Sequence, residues 1–256
     1  YIIIPNAVPQ SHLETVIDEI WWFLEMDRND PNDWYHEPHR PGGMVEMYQT
    51  QGLWNNRQCP RVHQAFTEIW DTEDLWVSFD RANMKPPVRQ DKPDWYHTGM
   101  VHWDLDTAGL TELTLRVQGV LYLTDTPEDQ GAWECVPEVF REIRDDGRRE
   151  LKRGEDFSGY ALHKVPGKAG SLVIWDGRMP HSSGHNWTGT PRFVQYITMN
   201  KCGDEEERQS RIENWRQNRA PRYWRNMPRQ VDPEPWKKPA RLTAHGKRIL
   251  GLTRWS

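Results

Sequence analysis

Residues 99–107 read GMVHWDLDT, an apolar, strand-like run that carries a histidine and two aspartates. In a β-strand, side chains two apart share a face, separated by about 6.6–6.8 Å along the strand. His102, Asp104 and Asp106 therefore point one way, while Trp103 and Leu105 point the other. A carboxylate aimed into an apolar interior is costly unless it is hydrogen-bonded, ion-paired or bound to a cation. Taken alone, His102 and Asp104 read equally well as a buried hydrogen-bonded pair or as two ligands of a divalent metal.

Working outward, the flanking sequence is rich in short β-forming runs. From Leu75 onward come LWVSFDRA, TGMVHWDL, ELTLRVQGVLYL, GAWECV, YALHKV, GSLVIWD and RFVQYITMN. Short strands separated by Gly, Pro and Asp turns predict an antiparallel barrel or jelly roll. The segment PEVFREIRDDGRRELKRG interrupts them as a helical excursion. Before this region, Leu13, Val16, Ile17, Ile20, Trp21 and Leu24 recur at helical spacing, and Ser11 with Glu14 has the spacing of a capping box. CPRVHQAFTEIWDT reads as a second helix with Pro60 at its start. After Lys201 the chain returns to helix in DEEERQSRIENWRQNR and then becomes Pro-rich and basic. The expected organisation is one domain over 1–256. It has helical wrapping over 1–74, a jelly-roll core over 75–200 and a C-terminal tail over 201–256. The fold class is mainly β with flanking helices, the core being a double-stranded β-helix of the cupin-like kind.

Composition narrows the function classes. With 256 residues the chain can bury roughly 70–75% of its unfolded surface without a disulfide or structural metal. Its 15 tryptophans supply large core bodies and pocket rims. Three scattered cysteines give no CxxC pair, which fits a reducing compartment and a cytoplasmic location. The opening YIIIPNAVPQ lacks the basic and apolar regions of a secretion signal, and no stretch has the roughly 20 apolar residues of a membrane span. Net charge is −5, split as +6 over residues 203–256 (13 Lys+Arg against 7 Asp+Glu) and −11 over the remainder. That argues against a nucleic-acid partner, although the basic tail holds Trp215, Trp224 and Trp236. Packing of those tryptophans on the outside of the barrel is the expectation, and a small molecule is the expected partner.

The second part of the pattern lies downstream, in GSLVIWDGRMPHSSGHNWTGTPR. Here a strand leads into a turn, His181 follows, and Arg192 stands eleven residues on at the head of another strand. Two histidines and one carboxylate on one side of an octahedron suit ferrous iron and leave three positions open. An inward guanidinium is the expected clamp for a carboxylate.

Together, His-X-Asp, the distal His and the Arg eleven residues later resemble the phytanoyl-CoA dioxygenase-like family of Fe(II)- and 2-oxoglutarate-dependent oxygenases. VQGVLYLTDT followed by GAWECVP, and LVIWDGRMPHSSGHN followed by PRFVQYITM, extend the resemblance over about Trp76 to Met199. The chain departs from the family where VPEVFRE replaces the usual Pro-Gly-Ser-His. The resemblance implies that His102, Asp104 and His181 hold Fe(II). It also implies that Arg192 binds the distal carboxylate of the cosubstrate 2-oxoglutarate, with Ser183 as a hydrogen-bonding neighbour, and that O2 is the oxidant. The implied activity is oxidation of a C–H bond of a small molecule. Hydroxylation is expected first, with desaturation or cyclisation as variants of the same chemistry; no acyl-CoA-specific feature is visible, and an amino acid or a secondary-metabolite intermediate is the expected substrate.

Asp106 fits a turn better than a ligand position. His185 would spoil the spacing to Arg192, and His163 reads as a surface residue. Gln118 and Tyr122 lie four apart on one strand face and would meet cosubstrate or substrate if that face is inward. Arg81 is a candidate for an anionic substrate, and His97 for the pocket approach. Cys135 reads as a small core residue. Three other functions share parts of the pattern. A 2-oxoglutarate-dependent nucleic-acid demethylase would need a basic aromatic groove, and a jelly-roll isomerase or dioxygenase without 2-oxoglutarate leaves Arg192 unexplained. A non-catalytic binding module would not need the intact triad.

Overall fold

The computed structural model describes residues 1–96, 100–104, 115–147, 151, 154–227 and 230–255. His97 and Asp106 lie outside the described residues. Three antiparallel sheets carry the fold. The largest has six strands in the order β1 (Ile2–Ile4), β8 (Leu172–Asp176), β5 (Val117–Tyr122), β10 (Arg192–Tyr196), β4 (Ala82–Lys85) and β2 (Met44–Val45). A three-stranded sheet places β6 (Trp133–Cys135) between β7 (His163–Val165) and β9 (His181–Ser183). A two-stranded ribbon pairs β11 (Met199–Lys201) with β3 (Leu75–Val77).

The period of two along the central strands explains why they are buried throughout. On β8, Leu172 and Ile174 join a core shared with the helices, while Val173 and Trp175 join a second cluster. On β5 the split is Val117 and Leu121 against Val120 and Tyr122, and on β10 it is Phe193 against Val194. The second cluster also contains Trp133, Cys135 and Val165 of the three-stranded sheet, so two sheets face each other across it. Cys135 is a buried free thiol in that cluster, pushed up to about 12 chiefly by burial. A side chain on the Val194 face of β10 therefore enters the space between the sheets; Arg192 and Tyr196 share that face.

The outer face of the large sheet is covered by α1 (Gln10–Leu24), α2 (Gln51–Arg57) and α3 (Pro60–Trp70). α1 buries Leu13, Val16, Ile20, Trp21 and Leu24. The capping box expected of Ser11 and Glu14 does not form: Pro9 is the N-cap residue, with φ −65° and ψ 148°, and no side chain caps the helix. The proline ring fixes its own φ, so the first turn begins one residue ahead of Ser11. α2, too short and polar to stand out by periodicity, is started by Thr50, whose hydroxyl accepts from Leu53 N at 3.1 Å. The first 74 residues are not purely helical, because β1 and β2 complete the two edges of the large sheet. The excursion after β6 is α4 (Pro137–Asp145), and the tail holds α5 (Glu205–Arg216) and a further helix, α6 (Ala244–Leu250). The tail tryptophans pack on the body as expected: Trp236 lies 5.0 Å from Trp22, Trp215 packs against the main core, and the Arg81 guanidinium lies 3.7 Å from the Trp224 ring centroid. No helix among the described residues is long and apolar enough to cross a membrane.

Candidate active site

His102 lies outside the named strands but pairs in antiparallel fashion with His181 of β9. Each backbone N–H donates to the other's carbonyl at 3.0 Å. This pairing brings the two imidazoles together, tilted at 49°, with ring centroids 4.8 Å apart. Asp104 then closes the group: its carboxylate oxygens lie 3.5 Å from His102 Nε2 and 3.5 Å from His181 Nε2. The ligating atoms of all three residues fall within 4.8 Å of one another.

Backbone carbonyls decide which way the imidazoles present their lone pairs. His102 Nδ1 lies 2.8 Å from the Met100 carbonyl and His181 Nδ1 lies 2.9 Å from the Met179 carbonyl. A carbonyl only accepts, so each neutral ring carries its proton on Nδ1 and turns a bare Nε2 toward Asp104. Two nitrogen lone pairs and a carboxylate converging on one point repel unless a cation sits between them. The donor set therefore fits a divalent metal of the Fe(II) type.

Burial pushes the Asp104 carboxyl up. With no metal between them, protonated imidazoles of His102 and His181 hydrogen-bond to the carboxylate and the charge of His181 adds to this; together with the Gln118 amide they overcome the burial and hold it well below the usual carboxylate range. Gln118 donates to Asp104 and accepts from Trp175 Nε1 at 3.2 Å, so it orients the carboxylate. The His181 side chain is 8% exposed, against 50% for Asp104. The centre is thus walled on the His181 side, by Trp175 and Trp133, and open on the Asp104 side.

Arg192 is buried across the β10–β4 register from Lys85. One guanidinium nitrogen donates to Asn83 Oδ1 at 3.0 Å, while its buried Nε has no partner. Lys85 donates to the Ser183 hydroxyl at 2.7 Å and to the Ser183 and Gly184 carbonyls at 3.2 and 2.9 Å. Burial, reinforced by Arg192, pushes the Lys85 ammonium down to about 7, with Glu134 opposing. A buried guanidinium with an orphaned donor, beside an ammonium that burial destabilises, is the electrostatic complement of a carboxylate.

Gly131 permits their approach. It sits at φ +75°, and a Cβ there would meet the Gly184 carbonyl oxygen at 2.9 Å, Lys85 Cδ at 3.2 Å and Arg192 Cδ at 3.5 Å.

The structure thus gathers His102, Asp104, His181 and Gln118 at one centre, and Arg192 and Ser183 around Lys85. Tyr122 faces the same interior, but its hydroxyl donates to the Val165 carbonyl at 2.7 Å and accepts from Trp133 N at 2.9 Å. Arg81 is engaged by Glu46 at 3.3 Å and Asp80 at 3.4 Å, with its guanidinium 3.7 Å from the Trp224 ring centroid. His185 lies 4.8 Å from the Tyr96 ring, and His163 accompanies Tyr1. Sequence reading passed over Lys85, Asn83 and Tyr196. Alternation from Arg192 along RFVQY was the available signal for Tyr196, whereas Lys85 and Asn83 become visible only through their register with β10.

A sequence model of the phytanoyl-CoA dioxygenase (PhyH) family matches residues 1–194. Among curated relatives, Ava biosynthesis cluster protein O of Aspergillus versicolor is 30% identical over 77% of this chain and 73% of its own length. The ectoine dioxygenase of Bordetella bronchiseptica is 28% identical over 55% of this chain and 51% of its own. Among solved structures, the epimerase SnoN, determined with Fe3+, α-ketoglutarate and nogalamycin RO, shares the fold with a TM-score of 0.55, 16% identity and 78% coverage of each chain. With the family match spanning three quarters of its length, the chain belongs to the phytanoyl-CoA dioxygenase family and is a dioxygenase that uses iron, 2-oxoglutarate and O2.

Proposed function

We propose that this dioxygenase holds Fe(II) through His102, Asp104 and His181 and anchors the distal carboxylate of 2-oxoglutarate with Arg192, assisted by Lys85 and Ser183. The two facing sheets form a double-stranded β-helix around that site. The observation that carries this reading is the convergence of both bare imidazole nitrogens and the Asp104 carboxylate within 4.8 Å. When bound, iron and 2-oxoglutarate supply oxidative decarboxylation, to succinate and carbon dioxide, coupled to oxidation of a substrate C–H bond.

The chain's own residues place and protect this chemistry. The Met100 and Met179 carbonyls fix the imidazole tautomers. Gln118 aims Asp104. Arg192 and Lys85 orient the cosubstrate from its far end, and Trp133 and Trp175 exclude water behind His181. Asp104, kept ionised, supplies the one protein negative charge of the triad. With two neutral imidazoles the centre carries a net charge of about +1 when Fe(II) is bound, which attracts a dianionic oxo-acid.

Hydroxylation of a small molecule is the simplest outcome of this arrangement. An amino acid or secondary-metabolite intermediate is the favoured substrate class. Relatives named for ectoine oxidation and for a biosynthetic cluster support that class. The test is a small-molecule screen scored by succinate release. The reading requires release that depends on both Fe(II) and added 2-oxoglutarate. Substrate turnover that proceeds without 2-oxoglutarate would sink it.

A further inference from the structure

Beyond Arg192 and Val194, β10 sends one more side chain into the space between the sheets. Tyr196 is the partly exposed residue of a strand whose other four residues are buried, and it packs on the margin of the interior cluster. Among the described residues its hydroxyl has no hydrogen-bond partner. Other buried tyrosines are tied down: Tyr122 by Val165 and Trp133, Tyr35 by the Pro87 carbonyl, and Tyr48 by Glu46. A half-buried phenol with a spare donor and acceptor must be satisfied by water or by a ligand. Here it stands four residues from the cosubstrate arginine, about 13 Å along the strand, at the opposite end of the same face.

The wall beside it is built by the tail. Tyr196 N donates to the Arg81 carbonyl at 3.0 Å, and the Arg81 guanidinium lies under the half-buried Trp224 indole. Charge there is balanced. Arg81 faces Glu46 and Asp80, and Arg40 reaches Glu46 at 2.9 Å, so two cations meet two carboxylates. This wall gives an anion no unmatched cation. Tyr196 and Trp224 both follow residue 194, where the family match ends.

We propose that Tyr196, backed by the Arg81–Trp224 stack, determines substrate specificity, and that the site takes a neutral small molecule whose hydroxyl, carbonyl or amide oxygen accepts a hydrogen bond from the Tyr196 hydroxyl. This inference rests on the assignment of the iron and 2-oxoglutarate sites above and narrows the substrate class proposed there to uncharged metabolite intermediates in preference to free amino acids.

The test uses protein loaded anaerobically with Fe(II) and 2-oxoglutarate and three ring probes: caprolactam, cyclohexanecarboxylate and cyclohexylammonium. Binding is read by ligand-observed NMR and calorimetry for the wild type and for Tyr196→Phe. Caprolactam is expected to bind more tightly than either ion. Tyr196→Phe should weaken it about fivefold to tenfold, the loss of one hydrogen bond, while 2-oxoglutarate affinity stays within about twofold. Tighter binding of the carboxylate, lactam binding unchanged in Tyr196→Phe, or no probe binding to a loaded wild type would each overturn the inference. Failure of the wild type to bind Fe(II) or 2-oxoglutarate would instead overturn the underlying site assignment.

Discussion

His102 and His181 are joined by a reciprocal pair of backbone hydrogen bonds, 3.0 Å each, and each ring nitrogen Nδ1 is tied to the carbonyl two residues before it. The same local device, repeated on two paired segments, turns both Nε2 atoms toward Asp104. Orientation of the two Nε2 atoms is therefore set by backbone carbonyls.

His181→Ala should for that reason leave the fold in place and remove a ligand. Iron affinity is expected to fall by about 100-fold or more, beyond what loss of an outer hydrogen-bond partner costs. Binding of Co(II), followed by its visible absorbance, reads this directly, with near-native circular dichroism as the control. Retention of wild-type Co(II) affinity would remove His181 from the ligand set.

Arg192 and Lys85 stand opposite each other in register, and only Arg192 retains a buried donor without a partner. Arg192→Ala should raise the 2-oxoglutarate KM by about 10- to 150-fold, as expected for a charge-assisted hydrogen bond, with a smaller effect on kcat at saturation. Lys85→Met should act in the same direction. Initial rates across a 2-oxoglutarate series measure both, and an unchanged KM in Arg192→Ala would place the cosubstrate elsewhere.

Much of the candidate site could be read in the chain before any coordinates, because the proposed ligands come in local patterns. His102 and Asp104 are two apart, and Arg192 heads an alternating strand. Lys85 and Asn83 escaped because their proximity to Arg192 is a matter of strand register across more than a hundred residues, which no local spacing encodes. Arg81 drew attention as a charge, yet Glu46 and Asp80, one distant and one adjacent, already neutralise it. The central strands and α1 were legible from their periods of 2 and 3.6. β1, β2 and α2 were not: with three, two and seven residues, tertiary pairing rather than pattern creates them.

Gly131 offers a test of how tightly the cosubstrate end is packed. Its φ of +75° disfavours any side chain, and an added Cβ would lie 2.9 Å from the Gly184 carbonyl. Gly131→Ala should cost about 1–2 kcal/mol, lowering Tm by about 2–8 °C, and should raise the 2-oxoglutarate KM by displacing Lys85 and Arg192. Calorimetry with parallel kinetics separates the two effects. A stable variant with wild-type KM would show that the cradle yields more easily than its distances imply.

Histidines His39 and His245 should subtract stability on mild acidification, against an opposing gain from buried Glu234, whose carboxyl burial pushes up to about 7. His39 is 1% exposed and bonded to the Met84 carbonyl at 2.8 Å, and burial pushes its pKa down to about 4. His245 on α6, 4.6 Å from His63, is pushed down to about 4 by burial, with His63 and Arg248 adding to the effect. Both rings are neutral in the folded chain, whereas the unfolded chain takes up protons below about 6.5. The stabilisation is thus complete above about pH 7 and is lost as pH falls from about 6.5 towards 4, on the order of 3 kcal/mol for the buried His39. Urea titrations between pH 7.5 and 4.5 give the slope, and His39→Asn should flatten it. A slope left unchanged by His39→Asn would mean that this ring is already charged when folded.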